Sequence, residues 1–274
     1  MSYTAGLDVG STYTKAVILD DRDQIAGRSM INTGFKLDQA AQRAFDQALE
    51  AAGLTGDQVS YVVSTGYGRY QVPFRDVNAT DLTSAAHGSR FFFPATHTVL
   101  DIGGQTMKAL RLDQQARVQS FRLNDKCAAG TGAFLEKTAR YMGYTTAEIS
   151  ALVQTSKETV AISGVCAVFA ESEVINHLSH GSAPADIMHG AMVSLVDRSV
   201  QLMKRVRVEP EVTLAGGILR FPMMATVVEE KLAMQINLPP EELIQFVGAI
   251  GAAALGHRRL KKIQAAPVVE RHGG

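Results

Sequence analysis

Two copies of one short motif carry the residue types that could bind a phosphate in this chain. The segment LDVGSTYTK at 7–15 returns as LDIGGQTMK at 100–108, with Leu, Asp, Gly and Lys at the same four offsets. A glycine turn exposes backbone N–H groups that can hold phosphate oxygens, and a carboxylate beside it can hold Mg²⁺ through water. A single Asp-x-Gly is also common in plain turns, but the matched pair favours two clamps on one triphosphate.

Three loops together make the candidate nucleotide site. The candidate residues are Asp8, Gly10, Ser11 and Thr12 in the first copy, Asp101, Gly103 and Gly104 in the second, and Gly216 with Gly217 after an apolar strand at 212–215. The last glycine pair can pack flat against an adenine ring. The sequence has no G-x-x-x-x-G-K-[ST] loop, and the glycine cluster at 128–135 lacks the third glycine of a dinucleotide fingerprint.

The elements that must position these loops are strand-rich at the start of each half. Alternating apolar residues predict a hairpin and a third strand in both copies, and then helices at 3.6-residue spacing. The predicted strands are 4–9, 24–30, 59–64, 98–102, 116–123 and 212–215, and the predicted helices are 37–52, 131–142, 146–155, 167–180, 183–205, 221–233 and 246–262. The pattern indicates an α/β protein with duplicated strand-rich halves.

Composition narrows the classes of partner. The 274 residues include 46% hydrophobic and 20% charged residues, and 27 basic residues balance 27 acidic ones. This balance gives no electrostatic preference for nucleic acid or anionic lipid, so we expect neither partner. The N-terminus lacks the apolar run of a secretory signal, and no segment gives 18 apolar residues in a row, so we expect a cytoplasmic protein without a membrane span.

In its loops the chain resembles the acetate kinase, sugar kinase, Hsp70 and actin superfamily, in which two similar domains close over ATP. Asp8 and Asp101 match the two phosphate-loop aspartates, and Gly216 with Gly217 matches the adenosine loop. The resemblance implies an ATPase domain I at 1–95, to which the last helix at 246–262 returns, and a domain II at 96–245.

The only two cysteines lie in domain II, each just before a predicted helix. Cys127 stands in NDKCAAGTGAFLE and Cys166 in ISGVCAVFAESEV. The positive end of a helix favours a thiolate and an anionic ligand, and Lys126 adds a cation. Composition alone favours two small buried thiols instead.

Both cysteine contexts, together with DIGGQ and LAGGI, resemble the BadF/BadG/BcrA/BcrD-type ATPases. These are the activators of 2-hydroxyacyl-CoA dehydratases and the ATPase subunits of ATP-dependent benzoyl-CoA reductase. The resemblance implies ATP, Mg²⁺ and a [4Fe–4S] cluster shared between two subunits, with Cys127 and Cys166 as metal ligands. Such a cluster takes four thiolates, and one chain offers two. It also implies an identical or homologous ATPase subunit, catalytic reductase or dehydratase subunits, and a ferredoxin or flavodoxin electron donor.

One residue departs from the family pattern. Dehydratase activators usually carry Asp after GGQ, whereas this chain has Thr106. We therefore expect Gln105 and Asp101 to organise the attacking water, Asp8 and Asp101 to hold Mg²⁺, and Lys15, Lys108 and Thr106 to assist nucleotide binding. The departure favours a benzoyl-CoA reductase subunit paired with a non-identical ATPase subunit.

Three other functions stay open at this point. A dehydratase activator would share the same chemistry. A small-molecule kinase of the superfamily would be colourless and would consume ATP only with an acceptor present. An actin-like or chaperone-like switch would have no use for two cysteines placed before helices.

Overall fold

The structure, a computed structural model, describes residues 2–124, 131–163 and 167–265. The chain divides into two compact units. Unit 1 is formed by Met1–Phe91 together with Gly248–Gly274, and unit 2 by Phe92–Val247. The chain therefore leaves unit 1 once and returns to it.

Unit 1 is built on a five-stranded sheet. Its elements are β1 Tyr3–Val9, β2 Tyr13–Leu19, β3 Ile25–Asn32, α1 Leu37–Ala52, β4 Val59–Thr65, β5 Val77–Asn78, α2 Asp81–Phe92 and, at the end of the chain, α8 Val247–Ala265. The strand order is β3-β2-β1-β4-β5. β1 runs antiparallel to β2 and parallel to β4, so the carboxyl ends of β1 and β4 meet at one edge of the sheet.

Helices cover both faces of this sheet at close range. α1 buries a stripe of alanines with Phe45 and Leu49, and it packs against Ala5, Leu7 and Val9 of β1. On the other face, a Cβ at Gly6 of β1 would collide with the backbone of α8 at Ala249 and Ala253. The absence of a side chain at Gly6 is what lets α8 approach the strand beside Asp8.

Unit 2 repeats the same sheet. Its elements are β6 Thr98–Ile102, β7 Met107–Leu112, β8 Val118–Asn124, α3 Gly132–Tyr141, α4 Ile149–Gln154, α5 Ala167–Ser179, α6 Pro184–Lys204, β9 Val212–Ala215, α7 Met223–Leu232 and β10 Ile236–Asn237. The order β10-β9-β6-β7-β8 is that of unit 1 with each strand replaced by its counterpart. The 21-residue α6 packs under the sheet, and its Ile187 and Leu195 share one buried cluster with Met107 of β7.

The α/β fold with two strand-rich halves is confirmed by this repeated topology. Several elements differ from expectation, among them the short strands β5 and β10, which the sequence does not predict. No sequence signal marks α2, whose stretch DLTSAAHGSRFF is small and polar with little helical periodicity. The helix expected at 221–233 begins only at Met223, after a short 3₁₀ turn at Gly217–Arg220. Phe221 is extended, with φ −111° and ψ 94°, because a residue before proline avoids the helical conformation. In the described part of the chain, no helix is long and apolar enough to cross a bilayer.

Candidate nucleotide-binding site

The first half-site lies at the carboxyl end of β1. Asp8 on β1 is paired in register with Lys15 on β2, and Lys15 Nζ lies 3.2 Å from Asp8 Oδ2. The two side chains are only 13% and 19% exposed, so the ion pair is partly shielded from water. The Gly10 N–H donates to the Tyr13 carbonyl at 3.1 Å and closes the turn. Ser11 and Thr12 form the exposed tip of the hairpin, where a ligand can reach them.

The second half-site repeats this geometry in unit 2. Asp101 on β6 is paired with Lys108 on β7, and Lys108 Nζ lies 3.1 Å from Asp101 Oδ2. The Gly103 N–H donates to the Thr106 carbonyl at 2.8 Å, and Gly104 and Gln105 form the exposed tip. Each glycine amide thus closes its own turn, so a bound phosphate would have to use the donors of the residues that follow.

A glycine with positive φ stands behind each aspartate. Gly216, directly after β9, has φ +96°, and a Cβ there would lie 2.5 Å from Asp101 Oδ1. Gly66, directly after β4, has φ +85°, and a Cβ there would also lie 2.5 Å from Asp8 Oδ1. Sequence reasoning singled out Gly216 and missed Gly66. Gly66 could have been found from the duplication, because it directly follows β4 as Gly216 directly follows β9, and these two strands occupy equivalent positions in the two sheets.

The adenosine-loop candidate continues from Gly216 into a turn. Gly217 begins the 3₁₀ turn that ends at Arg220, and the Leu219 N–H donates to the Gly216 carbonyl at 3.2 Å. Arg220 Nη2 lies 3.1 Å from Glu136 Oε1 on α3. This loop is therefore tied to α3 by an ion pair whose two side chains are each 32% exposed.

The start of α3 is also tied to the second phosphate-loop candidate. The Gly132 N–H donates to the Gly103 carbonyl at 3.0 Å, and the Ala133 N–H donates to the Gly104 carbonyl at 2.9 Å. These donors are among the first N–H groups of the helix, which have no partner within the helix itself. Any shift of the Gly103–Gly104 backbone must therefore move α3 or break these bonds.

Cys127 and Cys166 lie outside the described residues, but both helices that follow them are described. α5 begins at Ala167, next to Cys166, and α3 begins at Gly132. Lys137 Nζ of α3 lies 2.7 Å from Glu171 Oε2 of α5, and the Tyr141 hydroxyl donates to the same oxygen at 3.2 Å. The two helix starts thus lie within two turns of one shared ion pair. The described residues hold no cluster of three or more His, Cys, Asp or Glu side chains suited to a metal.

Comparison with known sequences finds one family and a set of full-length relatives. A family model described as the BadF/BadG/BcrA/BcrD ATPase family matches residues 5–256. The activator of lactoyl-CoA dehydratase from Anaerotignum propionicum is 38% identical over 260 residues, which cover 95% of this chain and 99% of the relative. A benzoyl-CoA reductase subunit from Thauera aromatica is 33% identical over 276 residues, which cover 96% of each chain.

Comparison with solved structures gives the same family and a wider fold group. The activator of the 2-hydroxyisocaproyl-CoA dehydratase from Clostridium difficile, solved with bound ADPNP, superposes with a TM-score of 0.88 at 37% identity, covering 96% of this chain and 97% of that one. A ROK family glucokinase from Streptomyces griseus superposes with a TM-score of 0.55 at 15% identity, covering 93% and 99%. The second likeness concerns the fold alone and confirms the sugar kinase-like architecture.

Proposed function

Because the chain belongs to the BadF/BadG/BcrA/BcrD ATPase family, we propose that it is an ATP-hydrolysing activator that drives electrons into a 2-hydroxyacyl-CoA dehydratase. The family resemblance stated from the sequence is confirmed. The single observation that carries the proposal is the pair of matched half-sites, Asp8 with Lys15 and Asp101 with Lys108, in a chain that matches three dehydratase activators over 97% to 99% of their length.

The proposal of a dehydratase activator replaces the expectation of a benzoyl-CoA reductase subunit, which was drawn from Thr106. Three dehydratase activators match at 36% to 38% identity, whereas the benzoyl-CoA reductase relative matches at 33%. Thr106 lies in the hairpin turn, where its carbonyl accepts the Gly103 N–H. A backbone carbonyl performs this role for any side chain, so the identity of residue 106 is weak support for a reductase subunit.

The exposed tip of each hairpin is proposed to be a phosphate-binding element, and the loop at Gly216 is proposed to contact the adenosine of ATP. Ser11 and Thr12 offer hydroxyl and amide donors to phosphate oxygens, and Gly104 offers an amide. The carboxylates of Asp8 and Asp101 are hard oxygen donors of the kind that Mg²⁺ prefers, and the bound ion would neutralise charge on the phosphates. Lys15 and Lys108 each hold the carboxylate beside them in place.

The hydrolytic step needs a water held in line with the γ-phosphate. Gln105 is exposed at the tip of the second hairpin, and its amide can both donate and accept a hydrogen bond. We assign it the orientation of the attacking water, with Asp101 behind it. The new P–O bond forms as the bond to the bridging oxygen breaks, which releases ADP and phosphate.

Two cysteines per chain fit half of the ligand set of a [4Fe–4S] cluster, so two chains are needed to complete it. The described flanks agree with this assignment, because the helices that follow Cys127 and Cys166 are neighbours joined through Glu171. A shared cluster would supply a one-electron carrier, which a ferredoxin or flavodoxin could reduce.

The link between ATP and the cysteines is assigned to α3. This helix donates hydrogen bonds to the Gly103–Gly104 loop and forms an ion pair with Arg220 in the adenosine-loop candidate. Its start also lies a few residues beyond Cys127. A change of nucleotide state would therefore act at the start of α3, a few residues beyond Cys127.

A reciprocal pair of variants tests the proposal after anoxic purification. Asp8→Asn should lower ATP hydrolysis by about 100-fold while iron and sulfide stay bound, because the loss concerns phosphate chemistry alone. Cys166→Ser should lose the iron and the electron delivery while ATP hydrolysis without an acceptor persists.

Two results would contradict the proposed function. A colourless wild-type protein that consumes ATP only when a small acceptor is added would be a kinase. Normal reduction of the dehydratase by Cys166→Ser or by Cys127→Ser would remove the cluster from the mechanism.

A further inference from the structure

Three side chains form a row across the sheet of unit 1 at the first half-site. The register pairs Asp8 with Lys15 on one side and with Thr65 on the other. Residues paired in neighbouring strands present their side chains to the same face of the sheet. An independent contact agrees, since Gly256 of α8 lies against both Thr4 and Val63, which precede Asp8 and Thr65 on that face.

The hydroxyl of Thr65 is buried without a hydrogen-bond partner among the described residues. Thr65 is 1% exposed, and its Oγ1 makes no hydrogen bond within the described chain. Buried hydroxyls normally have a partner, because leaving one unpaired is costly. Thr65 also stands directly before Gly66, the residue that backs the Asp8 carboxylate.

The same row in unit 2 lacks this hydroxyl. Asp101 is paired with Lys108 on one side and with Ala215 on the other, and Gly216 follows Ala215 as Gly66 follows Thr65. The sheet therefore does not require a threonine at this position, since the equivalent strand ends with a methyl group. The two half-sites match in their aspartate, lysine and glycine and differ at this residue.

We propose that Thr65 is a positioning residue of the Asp8 half-site, whose hydroxyl hydrogen-bonds a water that the Asp8 carboxylate holds on the nucleotide's divalent cation. The inference rests on the proposed ATPase function. A threonine hydroxyl can accept from such a water or donate to it, whereas the Asp8 carboxylate can only accept. Ala215, the residue paired with Asp101 in unit 2, offers no such group.

The test compares Thr65→Val with Thr65→Ser, because valine keeps the shape and serine keeps the hydroxyl. Ser89→Ala is the matched control, since Ser89 on α2 of the same unit is also fully buried, and its hydroxyl has no hydrogen-bond partner within the described chain. A fluorescent ATP analogue is titrated against each protein over a range of Mg²⁺ concentrations, with ATP hydrolysis and thermal unfolding measured on the same samples.

Thr65→Val should raise the Mg²⁺ concentration for half-maximal binding by about fivefold, the equivalent of one hydrogen bond. Its kcat should fall while its melting temperature is unchanged or higher. Thr65→Ser and Ser89→Ala should behave as wild type.

Equal Mg²⁺ dependence in Thr65→Val and wild type would overturn the inference. So would an equal loss in Thr65→Ser, because the role would then be one of shape. A wild-type protein that neither binds nor hydrolyses ATP would instead refute the proposed ATPase function. Failure of the Thr65 inference and failure of the proposed function can therefore be told apart.

Discussion

Replacing Gly66 by alanine tests whether the glycine behind Asp8 sets the position of the carboxylate. A Cβ at residue 66 would lie 2.5 Å from Asp8 Oδ1 and 2.7 Å from the Val9 carbonyl oxygen. Ordinary contact begins near 3.4 Å, so the carboxylate must move by about 0.9 Å. The φ of +85° adds strain of roughly 1 to 2 kcal/mol for a residue with a Cβ.

Gly53→Ala is the matched control for the strain. Gly53 ends α1 with φ +65°, and a Cβ there would meet nothing within 4 Å. Both variants should therefore lose about 1 to 2 kcal/mol of unfolding free energy in urea, with a further loss in Gly66→Ala from the contact with Val9. Only Gly66→Ala displaces a group of the half-site.

The assay is steady-state ATP hydrolysis beside urea unfolding of the same samples. A displacement near 1 Å at a reacting centre can cost up to about 100-fold in rate. We expect a fall in kcat of about 30-fold to 100-fold for Gly66→Ala and less than about twofold for Gly53→Ala. If the two variants hydrolyse ATP equally well, Gly66 does not position Asp8.

Two further predictions concern stability. Lys108→Met should lower the free energy of unfolding by about 2 to 4 kcal/mol, because it leaves the mostly buried Asp101 carboxylate without its cation. The control, Lys231→Met, breaks an exposed pair with Asp197 and should lower it by less than about 1 kcal/mol. Equal losses of the two variants in urea unfolding would contradict this prediction. Burial, followed by the charges of Arg258 and Arg90, lowers the pKa of His87 to about 4. The unfolded chain therefore binds a proton near pH 6.5 that the folded chain takes up only near pH 4, so the free energy of unfolding should fall by about 2 kcal/mol between these values. Urea unfolding of His87→Gln should lack this part of the fall, and an unchanged pH dependence would refute the assignment.

The hairpins were predictable because their determinants are local. The seven-residue spacing of Asp and Lys in each copy fits a three- or four-residue turn, which places the two residues opposite each other in register. The apolar alternation on both sides of the turn sets which face each side chain takes. Most of the half-site geometry therefore follows from the nine-residue motif in each copy.

The contributions of β4 could not be predicted in this way. Thr65 reaches Asp8 through parallel pairing across 57 positions of sequence, and no turn or spacing records that register. Gly66 matters through a contact made only after the sheet has formed. The bonds from α3 to the Gly103–Gly104 loop likewise depend on how a helix docks, which the pattern of the helix alone does not specify.

The two duplicated loops differ in which residues donate hydrogen bonds to their carbonyl groups. Under the proposed function, this difference would allow ATP hydrolysis to move a helix. In unit 1 the Gly10 and Thr12 carbonyls accept from the side chain and backbone of Thr33, which directly follows β3. That loop is anchored to its own sheet. In unit 2 the Gly103 and Gly104 carbonyls accept from the start of α3 instead. Under the proposed function, a shift of the Gly103–Gly104 loop would therefore act directly on a helix, whereas the described bonds of the Gly10–Thr12 loop lead back to its own sheet. Unit 2 is also the unit that spans positions 127 and 166.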